Sequence, residues 1–274
     1  MEYKLLAADM DATALNSKKE LTPGTVSAME RAIVAGKQVV FSTGRSLSLV
    51  RPYMEQVRGM RYAITSSGAS VTDILTGEHI FSGLLEPETV KYIISAAAGL
   101  YVMPMIYRDD ESYGTRSCID SIKDFRMEAY EPIYRSSMHL VDDVFAFYMQ
   151  DPTPIEKINL FFADTADTES VYSLIRELPV SFTCVTDHAI EINAPGVNKA
   201  LGLKKLCERL GISMAECIAV GDADNDTEMI KCAGLGAAMG NANAKIMSLA
   251  DTVTADCEHD GAAQVIEEYL LAKN

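Results

Sequence analysis

The chain has 274 residues and a formal net charge of −15, which argues against general binding to nucleic acid or anionic membranes, since both need a basic surface. Hydrophobic residues make up 48% and charged residues 23%, the composition of a soluble globular protein. The length allows one large domain or a core with a smaller domain inserted into it.

Leu5-Leu6-Ala7-Ala8 is an apolar run suited to a buried strand of a parallel sheet. Asp9 and Asp11 follow it directly. Thr22-Pro23 reads as an N-cap with Pro at the first helical position. Val26, Met29, Ile33 and Val34 share a face of that helix, and Gly36 ends it. Gln38–Ser42 is a second strand, with Thr43-Gly44-Arg45 at its carboxyl end. A helix starts near Ser46 and is kinked or shortened by Pro52. Tyr62–Thr65 is a third strand. The alternation predicts an α/β core with a doubly wound, parallel, Rossmann-like sheet.

From Val71 the pattern changes. Val71–Phe81 reads as a hairpin around Thr76-Gly77. Glu86–Ala98 is a helix with Val90, Ile93, Ile94 and Ala97 on one face. Strands are expected at Tyr101–Tyr107, Val144–Met149, Ile158–Phe162 and Val180–Val185, and helices near Ser121–Glu128 and Asp167–Glu177. These do not alternate simply, which suits an α+β insert. Alternation resumes with a strand at Ile190–Ile192, a helix Lys199–Leu210 stopped by Gly211, and a strand Glu216–Val220. A helix holding Met229 and Ile230, a strand Leu235–Met239, helical turns at Lys245–Leu249 and a closing helix Gln264–Leu271 complete the chain. Residues 1–83 and 187–274 would therefore form the core, and 84–186 the insert.

The six cysteines (Cys118, Cys184, Cys207, Cys217, Cys232 and Cys257) include no C-x-x-C pair, which argues against a zinc or thioredoxin-type site. No signal-like N-terminal segment and no bilayer-length apolar stretch stands out, so a cytoplasmic protein with reduced thiols is expected.

Asp9/Asp11, Thr43-Gly44-Arg45 and Asp222/Asp224/Asp226 all follow strands, and Lys199 opens a helix after Asn193–Asn198. Strand ends of one parallel sheet converge on one edge. Carboxylates crowded there call for a hard divalent cation such as Mg²⁺, and one of them could attack an electrophile. Arg45 and Lys199 supply charge for an anionic substrate, while the Thr43 hydroxyl and the N–H groups around Ala12 and Gly44 can donate to phosphate. That set suits phosphoryl transfer. Each feature also has a plainer reading. The first aspartates could lie in a solvated turn, Lys199 at an exposed helix start, Asp224 at a helix N-cap, and Arg45 in a surface pair. The histidines show no ligand spacing. Met103 and Met105 fit either a core or a substrate-facing lining, and nothing selects Tyr107, Arg108 or Tyr113.

Asp9-Met10-Asp11-Ala12-Thr13, Thr43 after an apolar strand, Lys199, and Gly221-Asp222-x-x-Asn225-Asp226 resemble the four motifs of the haloacid dehalogenase superfamily of phosphohydrolases. Asn193–Lys199 and Ala219–Asn241, with Ala238-Met239-Gly240-Asn241, resemble its Cof-type branch, class IIB. The resemblance implies that Asp9 is a nucleophile forming an aspartyl-phosphate, and Asp11 a general acid and then base whose carbonyl also binds metal. It implies that Thr43 bonds the phosphoryl group, with Gly44 and Arg45 beside it, and that Lys199 offsets its charge and that of Asp9. Asp222 and Asp226 would join Asp9 and Asp11 around Mg²⁺, and Asn225 would contact the site. The insert would be a cap that covers the site and reads the leaving group.

The chain departs from the family at Ala12, where Gly is usual, and at Ser66-Ser67-Gly68-Ala69, where Asn often precedes Gly-Ala. The implied activity is a phosphatase of small phosphorylated metabolites, with sugar phosphates among the candidates. A phosphomutase or phosphotransferase would use the same residues with another acceptor, and a weakly active phosphate-binding regulator would retain the fold alone. Both monomer and homodimer remain open.

Overall fold

The computed structural model describes residues 2–272, which fall into two compact units. The first gathers the chain up to Arg45, Val50–Ser82 and the chain from Asn198 onward. Its eight-stranded sheet runs, from one edge, Thr252–Val253, Leu235–Ala238, Cys217–Gly221, Leu5–Ala8, Gln38–Ser42, Tyr62–Thr65, Ser70–Asp73 and Glu78–Ser82. All pairings are parallel up to Tyr62–Thr65, and the last two strands return as an antiparallel hairpin. Successive strands leave Leu5–Ala8 in both directions, so that strand is the switch point of the sheet. Flanked and covered, its residues are 0% exposed, which is why they read as an unbroken apolar run.

Thr22 caps the Pro23–Val34 helix, its hydroxyl accepting the Thr25 N–H at 3.0 Å. The buried stripe is Thr25, Ala28, Met29 and Ala32, and Val34 is 89% exposed. The expected face of Val26, Ile33 and Val34 is thus displaced by a stripe built on small alanines with the same helical period. The Thr76-Gly77 hairpin forms as expected, with Gly77 at a φ of 74°. Gly211 ends the Lys199–Leu210 helix in the left-handed conformation.

The second unit comprises Ser46–Leu49 and Gly83–Val197. Its six-stranded sheet runs Ser181–Val185, Ala189–Asn193, Lys157–Phe162, Val102–Arg108, Glu111–Thr115 and His139–Val141. Only the last pairing is parallel. The strand Ala189–Asn193 belongs here, in a hairpin with Ser181–Val185. Hence the chain returns to the first unit at Asn198 and not at residue 187. Alternating Ile190 and Ile192 fit a strand in either sheet, and the short 186–188 turn decides for the hairpin.

Val144–Gln150 is a helix, not the expected strand. The Asp143 carboxylate accepts the N–H groups of Phe145 and Ala146, and the buried Val144 and Tyr148 stand four residues apart. The strands Glu111–Thr115 and His139–Val141 were not anticipated. Pro87–Ala97 buries the expected Val90, Ile93, Ile94 and Ala97. Met103, Met105 and Phe161 pack with Ile119, Ile122, Phe125, Tyr134 and Met138 in the core of this unit.

Candidate active site

The site residues of the first unit start from the switch-point strand. The Asp9 N–H donates to the Val220 carbonyl at 2.9 Å, so the loops after Leu5–Ala8 and Cys217–Gly221 start side by side. Across them, Lys199 Nζ donates to Asp9 Oδ1 at 2.6 Å and to Asp226 Oδ1 at 2.7 Å. All three side chains are buried. Asp226 Oδ2 accepts the N–H groups of Asp222 and Ala223 at 3.0 and 3.2 Å. Gly221 permits this return of the loop, since a Cβ there would lie 2.4 Å from Asp226 Cγ. Thr13 Oγ1 donates to Asp222 Oδ1 at 2.8 Å.

Lys199 is placed by its helix start. The Asn198 side chain accepts the Leu201 N–H at 2.9 Å. Gly68, at a φ of 94°, comes so close to this start that a Cβ would lie 2.1 Å from the Asn198 carbonyl oxygen. Ser66 and Ser67 precede it with φ of 51° and 59°, a conformation that costs non-glycine residues energy. Their N–H groups are held by the Arg45 and Thr43 carbonyls at 2.7 and 2.9 Å.

Carboxylate oxygens of Asp9, Asp222 and Asp226 lie within 4.8 Å of one another. Burial pushes Asp9 up to about 8, with Asp226 and Asp222 adding to the shift and Lys199 opposing it. Burial also raises Asp222 to about 6, against the Thr13 hydrogen bond. Lys199 stays charged, because Asp226 and Asp9 outweigh the burial that would lower it. Three carboxylates thus face one ammonium. Such an excess of buried negative charge, on hard oxygen donors, fits a divalent cation.

Asp11 is not part of that cluster. Arg45 grips it with both arms of its guanidinium, Nε to Oδ2 at 2.9 Å and Nη2 to Oδ1 at 2.7 Å. Lys19 Nζ reaches Asp11 Oδ1 at 2.8 Å. Burial alone would raise Asp11, but Arg45 and Lys19 overrule it and hold the carboxyl below its ordinary value. The Arg45 side chain, expected to meet substrate, is therefore turned to Asp11 and stacks 5.1 Å from the Tyr53 ring centroid. Thr43 is buried, its hydroxyl accepting the Arg45 N–H at 3.3 Å, and Gly44 lies between them. Asn225 has a buried Oδ1 with no hydrogen-bond partner. Asp224 stays outside the cluster, bonded to Asn243 Nδ2 at 3.0 Å and paired with Lys245 at 3.2 Å. Ala12 does take the left-handed conformation, at a φ of 57°, and Asn241 Nδ2 donates to its carbonyl at 2.8 Å.

Sequence reasoning missed Lys19, Asn241 and the hydroxyl of Thr13. Lys19 sits in a polar loop and carries no signal of its own, whereas Thr13 and Asn241 lay inside the quoted motifs.

A family model described as haloacid dehalogenase-like hydrolase matches residues 6–266. The chain belongs to that family. It is 29% identical over 275 residues to the 5-amino-6-(5-phospho-D-ribitylamino)uracil phosphatase YcsE of Bacillus subtilis, covering 99% of this chain and 97% of the relative. It is 26% identical over 279 residues to the HMP-PP phosphatase of Cronobacter sakazakii, covering 97% and 96%. A solved haloacid dehalogenase-like hydrolase from B. subtilis superposes with a TM-score of 0.85 at 26% identity, over 97% of this chain and 99% of that one. A subclass IIB sugar phosphatase shares the fold with a TM-score of 0.80 at 20% identity, over 98% and 100%. Among the described residues no helix is long and apolar enough to cross a membrane.

Proposed function

We propose that this haloacid dehalogenase-like hydrolase is a Mg²⁺-dependent phosphatase of small phosphorylated metabolites that works through an aspartyl-phosphate on Asp9. The observation that carries the reading is the buried meeting of Asp9, Asp222 and Asp226 on the single ammonium of Lys199. Relatives named as phosphatases of phosphorylated organic metabolites support it. Asp9, Asp222 and Asp226, with the Asp11 backbone carbonyl, would hold Mg²⁺, which would neutralise charge on the phosphoryl oxygens.

The chain's own residues do the rest. A carboxylate oxygen of Asp9 attacks phosphorus, and the ester P–O bond breaks. Lys199 opposes the burial that favours the protonated form of Asp9 and orients its carboxylate for that attack, and a bound cation would complete the ionisation. The Thr43 hydroxyl and the Asn225 amide bond the phosphoryl group. Asp11 gives its proton to the leaving oxygen, then takes one from the water that attacks the phosphoaspartate and frees Asp9 and inorganic phosphate. Arg45 and Lys19 favour the basic form of Asp11, the form that takes the proton of the attacking water, so to serve as acid in the first step it must first take up a proton from solvent. Arg45 is thus a positioning residue for Asp11. The second unit acts as the cap that reads the leaving group.

The test is turnover of para-nitrophenyl phosphate and a panel of sugar phosphates, with Mg²⁺ and with chelator, beside Asp9→Asn. The variant should lose at least about 10³-fold in kcat, and chelation should abolish turnover reversibly. Metal-independent turnover, or an Asp9→Asn variant as active as the parent, would refute the mechanism. Transfer to a second sugar in place of phosphate release would identify a phosphotransferase instead.

A further inference from the structure

A turn of the first unit is tied to both of the loops that carry Asp9, Asp11 and Asp222. It follows the strand Leu235–Ala238. At its start the Met239 N–H donates to the Gly221 carbonyl at 3.0 Å, and just past its end the Asn243 N–H donates to the Asp222 carbonyl at 3.1 Å. The Ala242 N–H closes the turn on the Met239 carbonyl at 2.9 Å, and the Gly240 N–H reaches the Ala255 carbonyl at 3.0 Å. A Cβ on Gly240 would lie 2.9 Å from the Asp256 nitrogen, so the two segments touch there. The turn is thus fixed to the Asp222 loop on both sides, and it carries Asn241.

The Asn241 amide has a defined orientation. Its Oδ1 accepts the Cys257 N–H at 2.9 Å, which leaves Nδ2 to donate to the Ala12 carbonyl at 2.8 Å. Asn241 is exposed, so packing does not account for its place. Ala12, at a φ of 57°, is the residue in its loop that needs support, because a left-handed alanine is strained. The bonds inside that loop run from the Thr13 N–H to the Met10 carbonyl at 3.2 Å and from the Ala14 N–H to the Asp9 carbonyl at 3.2 Å. They leave the Ala12 carbonyl to Asn241. The peptide on one side of Ala12 carries the Asp11 carbonyl. The residue on the other side, Thr13, donates its hydroxyl to Asp222 Oδ1 at 2.8 Å. A change of φ at Ala12 would turn both.

We propose that Asn241 is a positioning residue, which holds Ala12 left-handed and so fixes the Asp11 carbonyl and the Thr13 hydroxyl around the candidate cation site. The consequence for metal and turnover rests on the phosphatase reading above, whereas the hold on Ala12 does not. Outer groups that orient a metal site typically cost it about 10–100-fold in affinity or activity when removed. Glycine takes a positive φ without the steric penalty, so a chain with Ala12→Gly depends less on Asn241.

The experiment uses the parent, Asn241→Ala, Ala12→Gly and the double replacement. Calorimetric titration with Mg²⁺ alone gives metal affinity, para-nitrophenyl phosphate at saturating Mg²⁺ gives kcat and KM, and thermal melting checks that each protein folds. Asn241→Ala should weaken Mg²⁺ binding about tenfold and lower kcat by about as much, with KM little changed. In the Ala12→Gly background the same replacement should cost about threefold or less in both. Mg²⁺ affinity unchanged in Asn241→Ala, or equal losses in the two backgrounds, would overturn the proposal and leave the phosphatase reading intact. If the parent fails to bind Mg²⁺ or to turn over substrate, the phosphatase reading fails. The melting series then decides whether Asn241 holds Ala12. A larger drop in Tm on Asn241→Ala in the parent than in Ala12→Gly upholds it, and equal drops reject it.

Discussion

Each unit of this protein buries a lysine among carboxylates, and the two arrangements differ in their sum. In the first unit Lys199 meets Asp9 and Asp226, with Asp222 close by. In the second, Lys157 meets Glu191 and is bordered by amides and a tyrosine. The first cluster carries surplus negative charge, and the second is balanced. Surplus charge in a buried site is a demand for a cation, whereas a balanced pair is complete in charge.

The largest expected difference is in stability. Lys199→Met would leave Asp9 and Asp226 facing each other without compensation, and breaking one side of a buried pair costs about 3–5 kcal/mol. Saturating Mg²⁺ should restore part of that loss. The double replacement Lys157→Met with Glu191→Leu removes both charges of the balanced pair and should change stability by no more than about 1 kcal/mol. Urea unfolding of each variant, with and without Mg²⁺, measures both. Equal losses in the two units would break the distinction between surplus and balance.

The same surplus gives the metal-free protein a pH dependence. Asp9 and Asp222 are raised to about 8 and about 6 in the folded chain. Between the ordinary carboxylate value and these, the folded state binds more protons than the unfolded one. Stability must therefore fall as pH rises through that window. The metal-free protein should lose several degrees of Tm between about pH 5 and pH 8. Mg²⁺ favours the ionised carboxylates and should flatten or invert the slope. A metal-free Tm that rises across the window would contradict the surplus.

A smaller effect concerns the carboxylate kept out of the cluster. Arg45 and Lys19 hold Asp11 low against burial. Arg45→Met removes the two-armed grip while leaving Lys19 in place. The Asp11 pKa should rise, and the acid limb of the kcat profile, set where Asp11 acts as base in hydrolysis of the phosphoaspartate, should move to higher pH. An unmoved limb would mean that Asp11 is not the group titrating there.

The sequence displayed these two regions unequally. The first unit's site follows strand ends, and each strand is an apolar run with a motif directly after it. Leu5–Ala8 with Asp9, Gln38–Ser42 with Thr43, and Cys217–Gly221 with Asp222 could all be read in place. What could not be read were distances across loops. Nothing in the chain says that Arg45 reaches Asp11 before it reaches a substrate, or that Lys19 joins it. The second unit was harder because its signals are degenerate. Val144–Met149 has the aromatic and β-branched look of a strand, and one capping carboxylate at Asp143 makes it a helix. Nothing in the chain singles out Lys157 or Glu191, and only the register of three strands brings them to neighbouring rows of one sheet face.

The last contrast is in backbone strain. In the second unit the left-handed pair Asp109-Asp110, with φ of 56° and 65°, lies between the paired strands Val102–Arg108 and Glu111–Thr115. A two-residue hairpin turn calls for positive φ, and Asp tolerates it. In the first unit positive φ falls on Ala12, which has no polar side chain to compensate. A left-handed alanine costs about 1–2 kcal/mol. Glycine would relieve that, but it loses more backbone freedom on folding, worth about 0.5–1 kcal/mol in the opposite direction. Ala12→Gly should therefore stabilise the chain by up to about 1 kcal/mol, visible as a Tm higher by roughly 1–4 °C. A Tm lowered instead would mean that the Ala12 methyl contributes packing that outweighs its strain, and that the loop is built around alanine.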